Sequence, residues 1–213
     1  MIIKNTLEII GSDEQVKKVK DFIKGEPDKD EPKFIDFDKI IPVPTTLNVG
    51  AKPSGKLVQF LVFGDPDGFG LLNRGDALKL FNDLSETEKK EAIDIGLKYQ
   101  FNLKTYGCLT HGAYVSKAWK TRENAFGQKM ISSNMIEFQT EIDGVPYLIG
   151  QLAKKFIDVQ FKYRWNDDSE YFHEALYIRG ETEKISQKHL HSTKEYVFKN
   201  LDDYYQKRKY LTE

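Results

Sequence analysis

The chain has 213 residues, enough for one sizeable core with a smaller satellite, and its formal net charge of −1 holds no polyanion without a local basic patch. With 39% hydrophobic and 31% charged residues it falls outside the disordered and fibrous classes, and Cys108, the single cysteine, excludes an intramolecular disulfide and a multi-thiolate zinc site. No apolar run approaches the roughly 20 residues of a membrane span, and Lys4 and Glu8 leave no room for a signal-peptide core, so a cytoplasmic location without a membrane partner is expected.

Asn5–Ile10 alternates as a strand, with Asn5, Leu7 and Ile9 on one side and Gly11 ending it. Ser12 and Gln15 make a capping box for the helix that follows, where Val16, Val19 and Ile23 recur at helical spacing. A Pro- and Asp-rich linker over 25–32 leads to a short extended piece, Phe34–Phe37. Asp38–Pro44 comes next, where Pro42 and Pro44 remove amide donors and hold the chain extended as a rigid exit from the core. Residues 1–44 thus read as a first β-α-β half. A mostly helical insertion is expected over 45–128, with a strand at Leu57–Phe63, a glycine-rich loop at 64–70 and helices over 76–84 and 86–101. The second of these helices has a Ser85–Glu88 capping box and Ala92, Ile93 and Leu97 on one face.

Residues 129–180 make the second half. Ile136, Phe138, Thr140 and Ile142 alternate with polar residues as a half-buried strand, and Pro146 starts a helix whose stripe is Leu148, Ile149, Leu152 and Phe156. Val159, Phe161, Tyr163 and Trp165 form the next strand. A turn at 166–168 leads to a hairpin partner carrying Phe172, Leu176 and Ile178. Residues 181–213 are expected to be a helical extension, with a helix over 193–211 carrying Val197, Leu201, Tyr204, Tyr205 and Leu211. Two split β-α halves with antiparallel pairing define an α+β, ferredoxin-like core with helices on one face of the sheet.

The segment from Trp119 to Phe126 is the main site candidate. Its indole, hydroxyl, guanidinium and amide, on Trp119, Thr121, Arg122 and Asn124, are the types that grip a phosphate or a flipped base, with Lys117, Lys120 and Lys129 as a surrounding basic patch. The competing reading packs Trp119, Ala125 and Phe126 in the core and uses Thr121 and Asn124 as turn caps. His189 and His191 form a His-x-His pair, with Glu181 or Glu183 as helpers, but no third ligand is set by spacing, so no metal is predicted. Cys108 with His111 raises a Cys/His nucleophile, against the plainer reading of a small buried thiol; Asp36 and Asp38 are paired carboxylates on one strand face, with Asp38 read instead as a cap of the Pro-bounded exit. The loop at 64–70 lacks the lysine of a phosphate loop and the glutamate of a calcium loop, and no cofactor is predicted.

Three stretches carry a resemblance. They are Asn5-Thr6-Leu7-Glu8-Ile9 with Gly11, the run Phe37-Asp38-Lys39-Ile40-Ile41-Pro42-Val43-Pro44, and Trp119-Lys120-Thr121-Arg122-Glu123-Asn124-Ala125-Phe126. Together they resemble the YubB ferredoxin-like domain family of phage and plasmid proteins, whose third run is close to Trp-Gly-Thr-Lys-Trp-Asn-Ala-Tyr. Lys120 stands where that run has glycine and Glu123 where it has a second tryptophan; Tyr114 precedes Trp119 at the place of another family aromatic. The resemblance covers the first 180 residues and implies a protein of a mobile genetic element, without implying an activity. The leading expectation is a non-enzymatic binding or adaptor protein whose unidentified macromolecular partner meets Tyr114, Trp119, Thr121, Arg122 and Asn124. One alternative is a nucleic-acid platform using Phe161, Tyr163, Trp165, Tyr171 and Tyr177, disfavoured by the net charge. The other is an enzyme acting through carboxylates or histidines.

Overall fold

A computed structural model of the chain describes residues 1–27, 31–50, 52–64, 73–167, 171–191 and 194–207. Two compact units emerge: residues 1–42 with 115–213, and residues 43–114 between them.

The first unit is built on a 7-stranded antiparallel sheet. Its strands are β1 (Ile2–Ile10), β2 (Phe126–Ser132), β3 (Met135–Glu141), β4 (Gln160–Asp167), β5 (Tyr171–Ile178), β6 (Glu181–His189) and β7 (Glu195–Phe198), in the order β2-β3-β1-β4-β5-β6-β7. The helices of this unit are α1 (Asp13–Ile23), the single turn α2 (Phe37–Ile40), α7 (Pro146–Lys155) and α8 (Leu201–Lys207). The path β1-α1-β2-β3-α7-β4, with β3 between β2 and β1 and β1 between β3 and β4, is a doubly split β-α-β arrangement. The expected α+β class is borne out.

Five details differ from the expectation. The second strand of the first half is not Phe34–Phe37 but β2, so the insertion falls between α1 and β2 instead of after a finished β-α-β half. Asp36 accepts a hydrogen bond from the Asp38 N–H at 3.1 Å and caps α2, which turns the chain out of an extended path. The expected strand at Leu57–Phe63 is part of a helix. The expected helical extension contains β6 and β7, with a described helix only over Leu201–Lys207; Val197 lies on β7, and 208–211 fall outside the described residues. Finally, β5 buries His173, Ala175 and Tyr177, the opposite parity to Phe172, Leu176 and Ile178.

One sheet face carries the helices. Ile3, Leu7 and Ile9, Ile136 and Phe138, and Phe161, Tyr163 and Trp165 are buried on it. Phe22 of α1 meets Phe156 edge-on at 5.4 Å, and Tyr204 of α8 meets Trp165 at 5.7 Å and His173 at 5.8 Å, so these helices share that layer. At its centre lies a fully buried polar chain. The Tyr163 hydroxyl donates to Asn5 Oδ1 at 2.5 Å and accepts from the Val145 N–H at 2.7 Å; Asn5 Nδ2 donates to Thr140 Oγ1 at 2.9 Å, and that hydroxyl donates to Asp143 O at 2.8 Å. Burial pushes the Tyr163 phenol far above its ordinary pKa, so it stays a donor. Gly144 leads into α7, and a Cβ there would sit inside the Trp165 ring.

The opposite face is polar. Lys129, Glu137, Thr6, Arg164, Glu174, Ser186 and Val197 form one row across all the strands. Glu174 pairs with Arg164 Nε at 2.9 Å and with Lys162 Nζ at 3.2 Å. Partial burial raises the Glu174 pKa, but hydrogen bonds and charge from Arg164 and Lys162 outweigh it and hold the carboxyl below its usual 4.5. A lowered folded-state pKa contributes stability above the unfolded value, lost as pH falls through the folded one. The stability gap between wild type and Glu174→Gln is therefore expected to close as pH drops from about 6 to about 3, measured as urea midpoints.

The inserted unit, 43–114, is helical and ends earlier than residue 128. It holds a 3-10 turn (Thr45–Leu47), α3 (Pro53–Phe63), α4 (Arg74–Asn82), α5 (Glu86–Tyr106) and the first half of α6 (His111–Ala118). The expected loop at 64–70 lies almost wholly outside the described residues. Proline at the first turn makes α3 a helix, and Gly55 and Gly96 let α3 and α5 approach closely. The Ser85–Glu88 capping box starts α5, and the Tyr99 hydroxyl donates to Gly50 O at 2.6 Å.

Candidate functional site

Residues 31–41 form a strap held mainly by side chains instead of a strand ladder. The Ile35 N–H donates to Gln128 Oε1 at 2.8 Å, while Gln128 Nε2 donates to Ile35 O and to Ala125 O, both at 2.9 Å. The Phe37 N–H donates to Asn124 Oδ1 at 3.0 Å, and Asn124 Nδ2 donates to Asp36 Oδ1 at 2.6 Å. Lys33 pairs with the other Asp36 oxygen at 3.1 Å. The Trp119 indole N–H donates to Ile41 O at 3.0 Å, and its ring meets Phe37 edge-on at 5.7 Å.

These contacts decide the competing readings of the 119–126 segment. Trp119 is 3% exposed and offers no stacking face to a base. Asn124 is engaged by the strap, and the Thr121 hydroxyl, buried, donates to Glu141 O at 2.9 Å. The structure therefore brings Trp119 and Asn124 together as braces and leaves Arg122 exposed, without an ion-pair partner among the described residues. Tyr114 belongs to the helical unit, edge-on to Tyr106 at 6.3 Å. Lys117, Lys120, Arg122 and Lys129 are spread over the end of α6, a turn and β2, and Lys129 lies 3.8 Å from Glu137.

Lys120 has φ +65°, the left-handed region that favours glycine. A lysine there carries strain of about 1–2 kcal/mol, and Lys120→Gly relieves it while loosening the unfolded chain. The expected net gain is about 0.5–1 kcal/mol, read as a higher melting temperature.

The other candidates lie elsewhere in the fold. His189 ends β6, its Nδ1 accepts from the His191 backbone N–H at 3.1 Å, and the two rings are 6.1 Å apart. Among the described residues no group of three His, Cys, Asp or Glu is placed to hold a metal. Cys108 is buried, its thiol 3.7 Å from Tyr106 O, and His111 opens α6. Asp36 is the strap's anchor, bound as above. Phe161, Tyr163, Trp165 and Tyr177 are buried against the helices, and Tyr171 is edge-on to His189 at 5.1 Å, so the proposed aromatic platform is not formed.

What remains beside the strap is a groove of about 480 Å³. Glu31 and Lys33 line one wall; Glu123, Phe126 and Lys129 line the other, and Gln139 closes it. Along β2 the register jumps between Phe126↔Gln139 and Lys129↔Glu137, which leaves one extra residue on β2 around Gly127, itself at φ +55°. Sequence reasoning reached Asn124 at the groove's edge but missed Glu31, Phe126 as a wall, and Gln139; Gly127 was the one local sign of the bulge. A second cavity, of about 370 Å³, lies in the helical unit between the 3-10 turn and α5, with Leu97 and Phe101 as its apolar wall and Asn102 at its lining. No described helix is long and apolar enough to cross a membrane.

No family model matches the chain, and no curated protein matches it. Among solved structures, it is similar to a crystal structure of the protein api92 from Yersinia pseudotuberculosis, which carries the DUF1281 family description. The identity is 12%, the TM-score 0.41, and the match covers 88% of this chain and 97% of that one.

Proposed function

We propose that the chain is a non-enzymatic binding protein, an adaptor of a mobile genetic element working in the cytoplasm, and that it holds a macromolecular partner in the groove between the strap and β2. The observation that carries this reading is the groove itself: charged, amide and aromatic side chains converge on it, while the neighbouring motif residues are committed to bracing its wall. The mobile-element part rests on the resemblance of Phe37–Pro44 and Trp119–Phe126 to the YubB ferredoxin-like family. The left-handed backbone at Lys120, where that family has glycine, supports it. The ferredoxin-like reading of the core is supported by the strand order β2-β3-β1-β4.

The test is affinity capture from the native host with wild type and with Gln139→Trp, a neutral change that fills the groove. A partner recovered by wild type and lost by the variant, at equal melting temperature, is the expected result. A variant that recovers the same partner in the same amount overturns the groove as the contact surface.

A further inference from the structure

The charges around the groove are not balanced. Lys33 is neutralised by Asp36 at 3.1 Å, and Lys129 faces Glu137 at 3.8 Å. Glu31 and Glu123, by contrast, are exposed, and their carboxylates have no hydrogen-bond or ion-pair partner among the described residues. Two uncompensated carboxylates thus stand on opposite walls of one groove. Between them lie the half-buried ring of Phe126, a face suited to a cation, and the carboxamide of Gln139, which unlike those of Asn124 and Gln128 is bound to nothing among the described residues. The β2 bulge adds a residue that stands outside the ladder with β3.

Resting on the groove reading above, we infer that the occupant is a cationic, extended polypeptide segment, with arginine or lysine side chains reaching Glu31 and Glu123. The carboxylates repel a phosphate backbone, which turns nucleic acid away from this site. A bare polyamine would satisfy the two charges but would leave Gln139 and the bulge without a main-chain partner, so a peptide is the better fit. Since both carboxylates are exposed, the attraction is screened by salt and acts mostly on encounter and selectivity.

The probe is a short fluorescent peptide alternating arginine with threonine, compared with its glutamate-for-arginine counterpart and with spermine as a competitor. The arginine peptide is expected to bind wild type, to lose affinity about tenfold with E31K/E123K, and to weaken as salt rises. Gln139→Trp is expected to abolish it. Both substituted glutamates are exposed, so the double variant should keep its melting temperature; Glu181→Lys, exposed on β6 and well removed from β2 in the strand order, serves as a charge-changed control that leaves peptide binding unaltered. Equal binding of the glutamate peptide, or displacement by spermine at matched charge, overturns the inference. Host capture separates the two levels. A native partner lost by Gln139→Trp but kept by E31K/E123K leaves the groove standing and removes the cationic occupant. A partner kept by both removes the groove as well.

Discussion

Trp119→Ala is expected to lower the unfolding free energy by about 3–5 kcal/mol, the range for deleting a buried indole from a packed site. The residue is almost fully enclosed, its ring lies edge-on to Phe37, and Phe37 in turn meets Phe138 edge-on at 5.9 Å. The alanine also leaves Ile41 O without its indole donor. Trp119→Phe keeps an aromatic ring and should lose only the hydrogen bond and some packing, about 1–2 kcal/mol. Chemical denaturation of the two variants beside Arg122→Ala separates bracing from binding. Arg122 is exposed, and its truncation should change stability by no more than about 0.5 kcal/mol. If Trp119→Ala unfolds at the wild-type midpoint, the strap does not depend on it.

Tyr163→Phe is expected to destabilise by about 2–4 kcal/mol, although it deletes one oxygen. That oxygen joins two groups that have no access to water, donating to Asn5 and accepting from the backbone N–H of Val145 ahead of α7. Removing it strands a buried acceptor and a buried donor together, and each carries its own desolvation penalty. The companion change Asn5→Leu with Tyr163→Phe should cost less than the sum of the single variants, because the pair shares one hydrogen bond. A double-mutant cycle by urea denaturation checks this; strict additivity would mean that the two side chains are not coupled.

Signals in the sequence are legible where the physics is local. Ser12 with Gln15 and Ser85 with Glu88 both form their capping boxes, Pro146 opens α7, and the alternation of Ile136, Phe138 and Thr140 marks the buried face of β3. The failures lie where a distant residue decides. In β5 the larger aliphatic side chains, Leu176 and Ile178, sit on the polar face, because His173 is stacked at 5.0 Å on Trp165 and Tyr177 donates to Pro146 O at 2.5 Å. Leu57–Phe63 is apolar at all positions but Gln59, so its period says little, and the helix rests on Pro53 at its first turn together with its fit to α5 through Gly55 and Gly96. β6, with Glu181, Lys184 and Lys188, has little apolar alternation of its own and is defined by pairing with β5. The 119–126 segment stands out in the sequence as a conspicuous run, but what its side chains bind depends on acceptors at Ile41 and Asp36, far away in the chain.

The bond between Trp119 and Ile41 spans 78 positions of sequence. To the sheet, everything between those two residues is a detour that departs and returns at a single stitch. Closing a longer or shorter detour changes the loop entropy only slowly with length, so trimming or extending the segment between the two residues is expected to cost the sheet little while the stitch holds.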